Sequence, residues 1–170
     1  MKHPIKLLLL TAMVLSSAHT YANQKDQEII EQALLCQNLP KAPANIKRNT
    51  NDEKRLESYD KQVSNYISKA EKAISRNATG KPKKEIIDYS NYTTYKLKQP
   101  IIIRGISFSS ILSIDYEDGY QTFQAIGKPV QNNQSVLKTF KKTGERFDTE
   151  IKNNSLTVSC TLVYSLNLPE

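Results

Sequence analysis

Apolar residues recur along this chain with two different periods, and the switch between them divides it into a helical part and a sheet part. Ile29, Ile30, Ala33, Leu34 and Gln37 follow a helical spacing, which predicts a helix over 24–37 that Leu39-Pro40 stops. Residues 40–49 carry two prolines and read as a connector. Thr50-Asn51-Asp52-Glu53 is a capping box, in which hydroxyl and carboxylate each satisfy an orphan backbone donor. Beyond it Leu56, Tyr59, Val63, Tyr66/Ile67, Ala70 and Ile74 form one apolar stripe. The spacing predicts a helix over 51–77, about 40 Å long, closed by Gly80 and Pro82.

From residue 85 the period becomes two. Ile87, Tyr89, Thr93, Tyr95 and Leu97 alternate with polar residues up to Pro100, and Ile101–Arg104 and Ile106–Tyr116 are rich in Ile, Phe and Ser. Glu117-Asp118-Gly119 is a turn signal between Tyr116 and Tyr120, with 120–126 as the returning strand. Residues 127–133 read as loop, and Ser135–Thr143 as a short helix with Val136, Leu137 and Phe140 on one side, ended by Gly144. A final hairpin runs 145–152, turns at Asn153-Asn154 and returns over 155–166, with Leu156, Val158, Cys160, Leu162 and Tyr164 on one face. The expected class is α+β: two N-terminal helices on a mostly antiparallel sheet of five or six strands, with one short helix inserted.

The first 22 residues stand apart from both periods. Lys2 and Lys6 precede an apolar run, Leu7 to Leu15, broken only by Thr11, and small residues lead to Thr20-Tyr21-Ala22. That is the form of a secretory signal cleaved near Ala22, and the run is too short to span a bilayer. Residues 23–170 are then expected to form one exported domain, periplasmic or secreted. Leu34-Leu35-Cys36 superficially resembles a lipidation site. Leu35 is too large for the position before the cysteine, however, and Lys25, Asp26, Glu28 and Glu31 make the upstream stretch polar. No later segment is apolar enough to span a membrane.

Cleavage changes the available chemistry. His3 and His19 both leave, and the net charge of +7 falls to +5 because Lys2 and Lys6 leave with no acid. The remaining chain has no Trp and two cysteines, Cys36 and Cys160. In an exported protein these are expected to pair, closing a loop of about 124 residues worth on the order of 4–5 kcal/mol.

Without a histidine, Ser-His-Asp, Cys-His and His/Cys zinc arrangements are excluded from the exported chain. The glycines at 80, 105, 119, 127 and 144 form no phosphate loop. Ser135-Val136-Leu137-Lys138 and Lys142-Thr143-Gly144 match two β-lactamase motifs by composition, but they lie too close together for that fold. Asp115, Glu117 and Asp118 cluster at a hairpin, where they match no EF-hand loop and would serve a hydrolase only as a bare carboxylate pair. Lysines gather at 81, 83 and 84, and Lys138, Lys141, Lys142 and Arg146 form a second basic group, with Tyr89, Tyr92 and Tyr95 as possible companions. Sequons stand at Asn77, Asn91, Asn133 and Asn153. The high Asn, Lys and Ile content and the single bridge point instead to a bacterial envelope.

The function expected from these features is non-enzymatic protein binding, as an inhibitor or immunity protein against a toxin or cell-wall enzyme. Asp115, Tyr116, Glu117, Asp118 and Tyr120 would form the contact, with no cofactor, metal or nucleic acid involved. The alternatives are an envelope module holding glycan or anionic lipid on its basic surfaces, and a hydrolase using carboxylates alone.

Overall fold

A computed structural model describes residues 24–44, 50–130, 135–140 and 146–163. The expected export signal 1–22, Asn133, Lys141, Lys142, Thr143-Gly144 and residues 164–166 of the last expected strand lie outside the described residues. Two N-terminal helices pack on a six-stranded antiparallel sheet, so the α+β expectation holds.

Helix α1 spans 24–34 and ends a turn earlier than its apolar spacing predicts. Cys36 takes a left-handed conformation (φ 51°), and the Gln37 amide donates back to the Gln32 carbonyl at 2.9 Å. This is a Schellman-type stop, with cysteine where glycine is usual. Helix α2, Thr50–Asn77, buries Leu56, Tyr59, Val63, Ala70, Ala73 and Ile74. Its first turn holds buried Asp52, paired with Arg55 at 2.5 Å, and Arg55 also donates to the Ala44 carbonyl at 3.0 Å. An acid there meets the positive end of the helix dipole.

The strands are β1 (Lys83–Ile87), β2 (Ser90–Ile103), β3 (Ile106–Tyr116), β4 (Tyr120–Pro129), β5 (Asp148–Lys152) and β6 (Ser155–Val163), in the order β1-β2-β3-β4-β6-β5. The inserted helix α3 is shorter than expected, Ser135–Lys138. The alternation read from 85 to 99 is not one strand. It folds at Asp88-Tyr89, both at positive φ (47° and 62°), into the β1–β2 hairpin. β2 then continues through Pro100, where the register with β3 slips between Lys96 and Ile101. A proline lacking a donor is tolerated at such a bulge.

Phe108, Phe123, Ile106, Leu156, Val158 and Cys160 form the fully buried centre under the helices. At Gly127 an added Cβ would lie 2.5 Å from Ile106 Cγ2, so only glycine lets β4 cross this packing. Three ties fasten the helices to the rest. Cys36 and Cys160 are disulfide-bonded. Arg76 holds Asp26 with two hydrogen bonds, of 2.5 and 2.9 Å, joining α2 to α1. Tyr59 and Tyr66 of α2 donate to the carbonyls of Val163 and Gln37, each at 3.0 Å. Burial raises the Tyr66 hydroxyl pKa to about 12.

Candidate functional site

The register brings two hairpin tips together at one end of the sheet. Asn91, one residue after the β1–β2 turn closes, is opposite Asp115, one residue before the β3–β4 turn pair begins. Tyr116 faces Tyr120, and Glu117–Gly119 form a three-residue loop with the Gly119 amide donating to the Tyr116 carbonyl at 3.2 Å. Gly119 is left-handed (φ 86°), as such a loop requires. Asp88, Tyr89, Glu117 and Asp118 therefore project from neighbouring turns, all exposed.

The five residues expected to form one contact surface do not share one face. Asp115 lies on the helix-facing side, in register with Asn91 and Gln121. Tyr116 and Tyr120 pair on the outer side, and Glu117 and Asp118 occupy the loop. Alternation along a strand forces this split. The tyrosines divide too: Tyr59 and Tyr95 are core, Tyr66 and Tyr92 are half-buried, and Tyr89 is 78% exposed. The suggested Tyr89, Tyr92 and Tyr95 companions to the lysines are thus not a common surface. Of the basic groups, Lys81, Lys83, Lys84 and Arg146 are exposed, and Lys83 is paired with Glu85 at 2.7 Å.

Where α2 stops covering the sheet, a cleft of about 460 Å³ opens between the helix flank and the β1–β3 corner. Its floor is Lys84 and Ile86 of β1, Asn91 and Thr93 of β2, and Ser113 and Asp115 of β3, with Glu71 of α2 as the wall. A polar relay lies beside this floor: Gln121 donates to the Ser113 hydroxyl at 2.6 Å, which donates to Glu71 at 3.1 Å. Ser113 and Gln121 are 2% and 3% exposed, positions where apolar side chains would ordinarily sit. The Tyr95 hydroxyl pKa is pushed up first by burial and then by the negative charge of Glu71. About three turns earlier on the same helix, Asp60 keeps Oδ1 buried with no hydrogen-bond partner, and burial raises its pKa.

No match to the chain is found among protein-family models, curated proteins or solved structures.

Sequence reasoning missed Glu71, Asn91, Ser113 and Gln121. A signal existed, since Ser113 and Gln121 break the apolar alternation of β3 and β4 on the face that Ile111 and Phe123 identify as core. The chemistry on offer is recognition of polar and cationic groups. Among the described residues, no three His, Cys, Asp or Glu side chains gather to hold a metal ion. No described helix is long and apolar enough to cross a membrane. A second hollow, on the outer face, is lined by exposed Ile102, Ile126 and Val130 and has no buried polar side chain in it.

Proposed function

We propose that the chain is an exported, non-enzymatic binding domain of the bacterial envelope, acting as an inhibitor or immunity protein against a toxin or cell-wall enzyme. The observation that carries this reading is the juxtaposition of the two hairpin tips. It gathers Asp88, Asp115, Glu117 and Asp118 with Tyr89 and Tyr120 at one end of a chain whose net charge is positive. Tyrosine supplies large contact area at small entropic cost, and local charge opposite to the rest of the molecule orients a partner. The partner surface that fits is basic. Export and a disulfide-fastened core suit a domain that works outside the cytoplasm.

Capture from envelope extract by the immobilised, oxidised protein tests the reading. The wild type should retain a basic protein at micromolar concentration. A variant carrying Asp88→Lys, Tyr89→Ser, Glu117→Lys, Asp118→Lys and Tyr120→Ser should lose it while keeping its melting temperature. Equal retention by both proteins, or none by the wild type, would remove the proposal.

A further inference from the structure

β1 is the outermost strand on its side of the sheet, and no described residue pairs with its outer edge. All of its residues are exposed. A ladder closed by a two-residue turn begins with a hydrogen-bonded pair, here Ile87 and Ser90, and the two kinds of pair alternate from there. Lys84 and Ile86 then fall where the backbone N–H and C=O point away from β2. Both residues also line the cleft, together with Glu85 between them. One short strand thus offers free backbone groups and the rim of a side-chain pocket at the same two residues.

Two features run against the usual protection of an edge. Lys83, Lys84 and Glu85 supply protective charge, yet Ile86 is 78% exposed beside exposed Ile87. The turn is the second feature. All three two-residue turns are left-handed at both positions, but the second position is glycine in Arg104-Gly105 and asparagine in Asn153-Asn154, and a tyrosine in Asp88-Tyr89. A left-handed tyrosine projecting into solvent is strained, and such strain is characteristic of contact sites.

We infer that β1 accepts an extended segment of the partner protein as an added strand, with a Lys or Arg of that segment opposite Ile86 and directed over the cleft towards Asp115 and Glu71. This rests on the protein-binding reading and specifies the partner's chemistry. Cross-strand neighbours share a face, so the residue opposite Ile86 stands in one row with Ile86, Asn91 and Asp115. Adjacent strands lie about 4.8 Å apart, placing the added backbone about 14 Å from that of β3. A long cationic side chain meeting a carboxylate covers most of this span, and Glu71 leans in from α2. The apolar stem of the side chain would lie over Ile86. The cleft lining carries three carboxylates, Glu71, Glu85 and Asp115, against the one ammonium of Lys84, so an anionic residue in the same place is the poorer fit. A second copy of β1 meets like charges in two registers, since pairing centred on Glu85 opposes two carboxylates and pairing centred on Lys84 opposes two ammonium groups; self-pairing centred on Ile86 is an outcome of the test below.

The probe is an alternating capped peptide, Thr-Val-Thr-Arg-Thr-Val-Thr, titrated into the oxidised protein with amide exchange followed by NMR. Saturable binding should slow exchange at Lys84 and Ile86. Replacing the peptide's Arg with Glu, or using the Glu71→Gln/Asp115→Asn protein, should weaken binding about three- to tenfold. Ile86→Pro should abolish it, since proline removes an outward donor, and the melting temperature should barely move. Four outcomes overturn the inference: no binding at millimolar peptide, binding indifferent to Arg or Glu, protection at another edge such as β5, or protection of Lys84 and Ile86 by self-association without peptide. An envelope partner retained equally by Ile86→Pro would also overturn it, leaving the protein-binding reading intact. Peptide binding with no envelope partner retained would remove only that reading.

Discussion

The two sides of the sheet are built to different standards. Around β4 and β6, Phe123, Leu156, Val158 and Cys160 are wholly enclosed, the disulfide fastens α1 to β6, and Tyr59 reaches the end of the same strand. Around β1 every residue is exposed, two isoleucines and a tyrosine stand in solvent, and one turn is strained. The enclosed side meets the entropy of folding, while the open side leaves apolar surface uncovered that folding alone gives no reason to keep. Under the proposed function, stability falls to one side and recognition to the other.

The strongest way to break this division is to remove the bridge. Cys36→Ser with Cys160→Ser should lower stability by about 4–5 kcal/mol in chemical denaturation. A loss below about 1 kcal/mol would mean that the enclosed side does not depend on it. Next, Phe123→Ala should cost about 3–5 kcal/mol and Ile86→Ala less than about 0.5 kcal/mol. Comparable losses at the two positions would erase the distinction.

A smaller effect separates two aspartates of the helices by pH. The hydrogen bonds from Arg76 hold the Asp26 carboxyl below its ordinary value of 3.8, outweighing the opposing effect of burial. Its folded pKa is depressed, so its contribution is complete above the unfolded value and is lost as pH falls through the folded one. Asp60 is raised above 3.8 by burial, so its contribution is complete below the unfolded value and is lost as pH rises through the folded one. At neutral pH, Asp26→Asn should therefore destabilise by about 1 kcal/mol and Asp60→Asn should stabilise by a similar amount. Both differences should shrink in acid, and thermal melts across the acid range would expose a reversed sign. A small effect of opposite sign is expected on the open side: Tyr89→Gly should raise stability by about 0.5–1 kcal/mol by relieving the left-handed turn. A destabilised variant would show that Tyr89 serves the fold.

The same division governs what could be read from the sequence. The capping box and apolar stripe announced α2 almost to the residue, because helix periodicity is local and long. The cysteine count announced the bridge. The β1–β2 hairpin was hidden because Asp88-Tyr89 lacks the Asn-Gly type of signature that marks a tight turn, and the alternation runs on past it. The cleft was hidden for another reason: Glu71, Asn91, Ser113 and Asp115 come from three elements and meet only through the strand register. The acidic turn was legible as chemistry, but its division between two faces depended on where the strand begins.

Joining Cys36 to Cys160 also gives the molecule a timetable. The first cysteine emerges with α1, while its partner arrives 124 residues later on the last described strand. Oxidation cannot be completed on a shorter piece of chain, so the thiol of Cys36 must wait until the polypeptide has been made as far as β6. A chain truncated before β6 would carry that thiol unspent, and an alkylating reagent would distinguish finished molecules from abandoned ones.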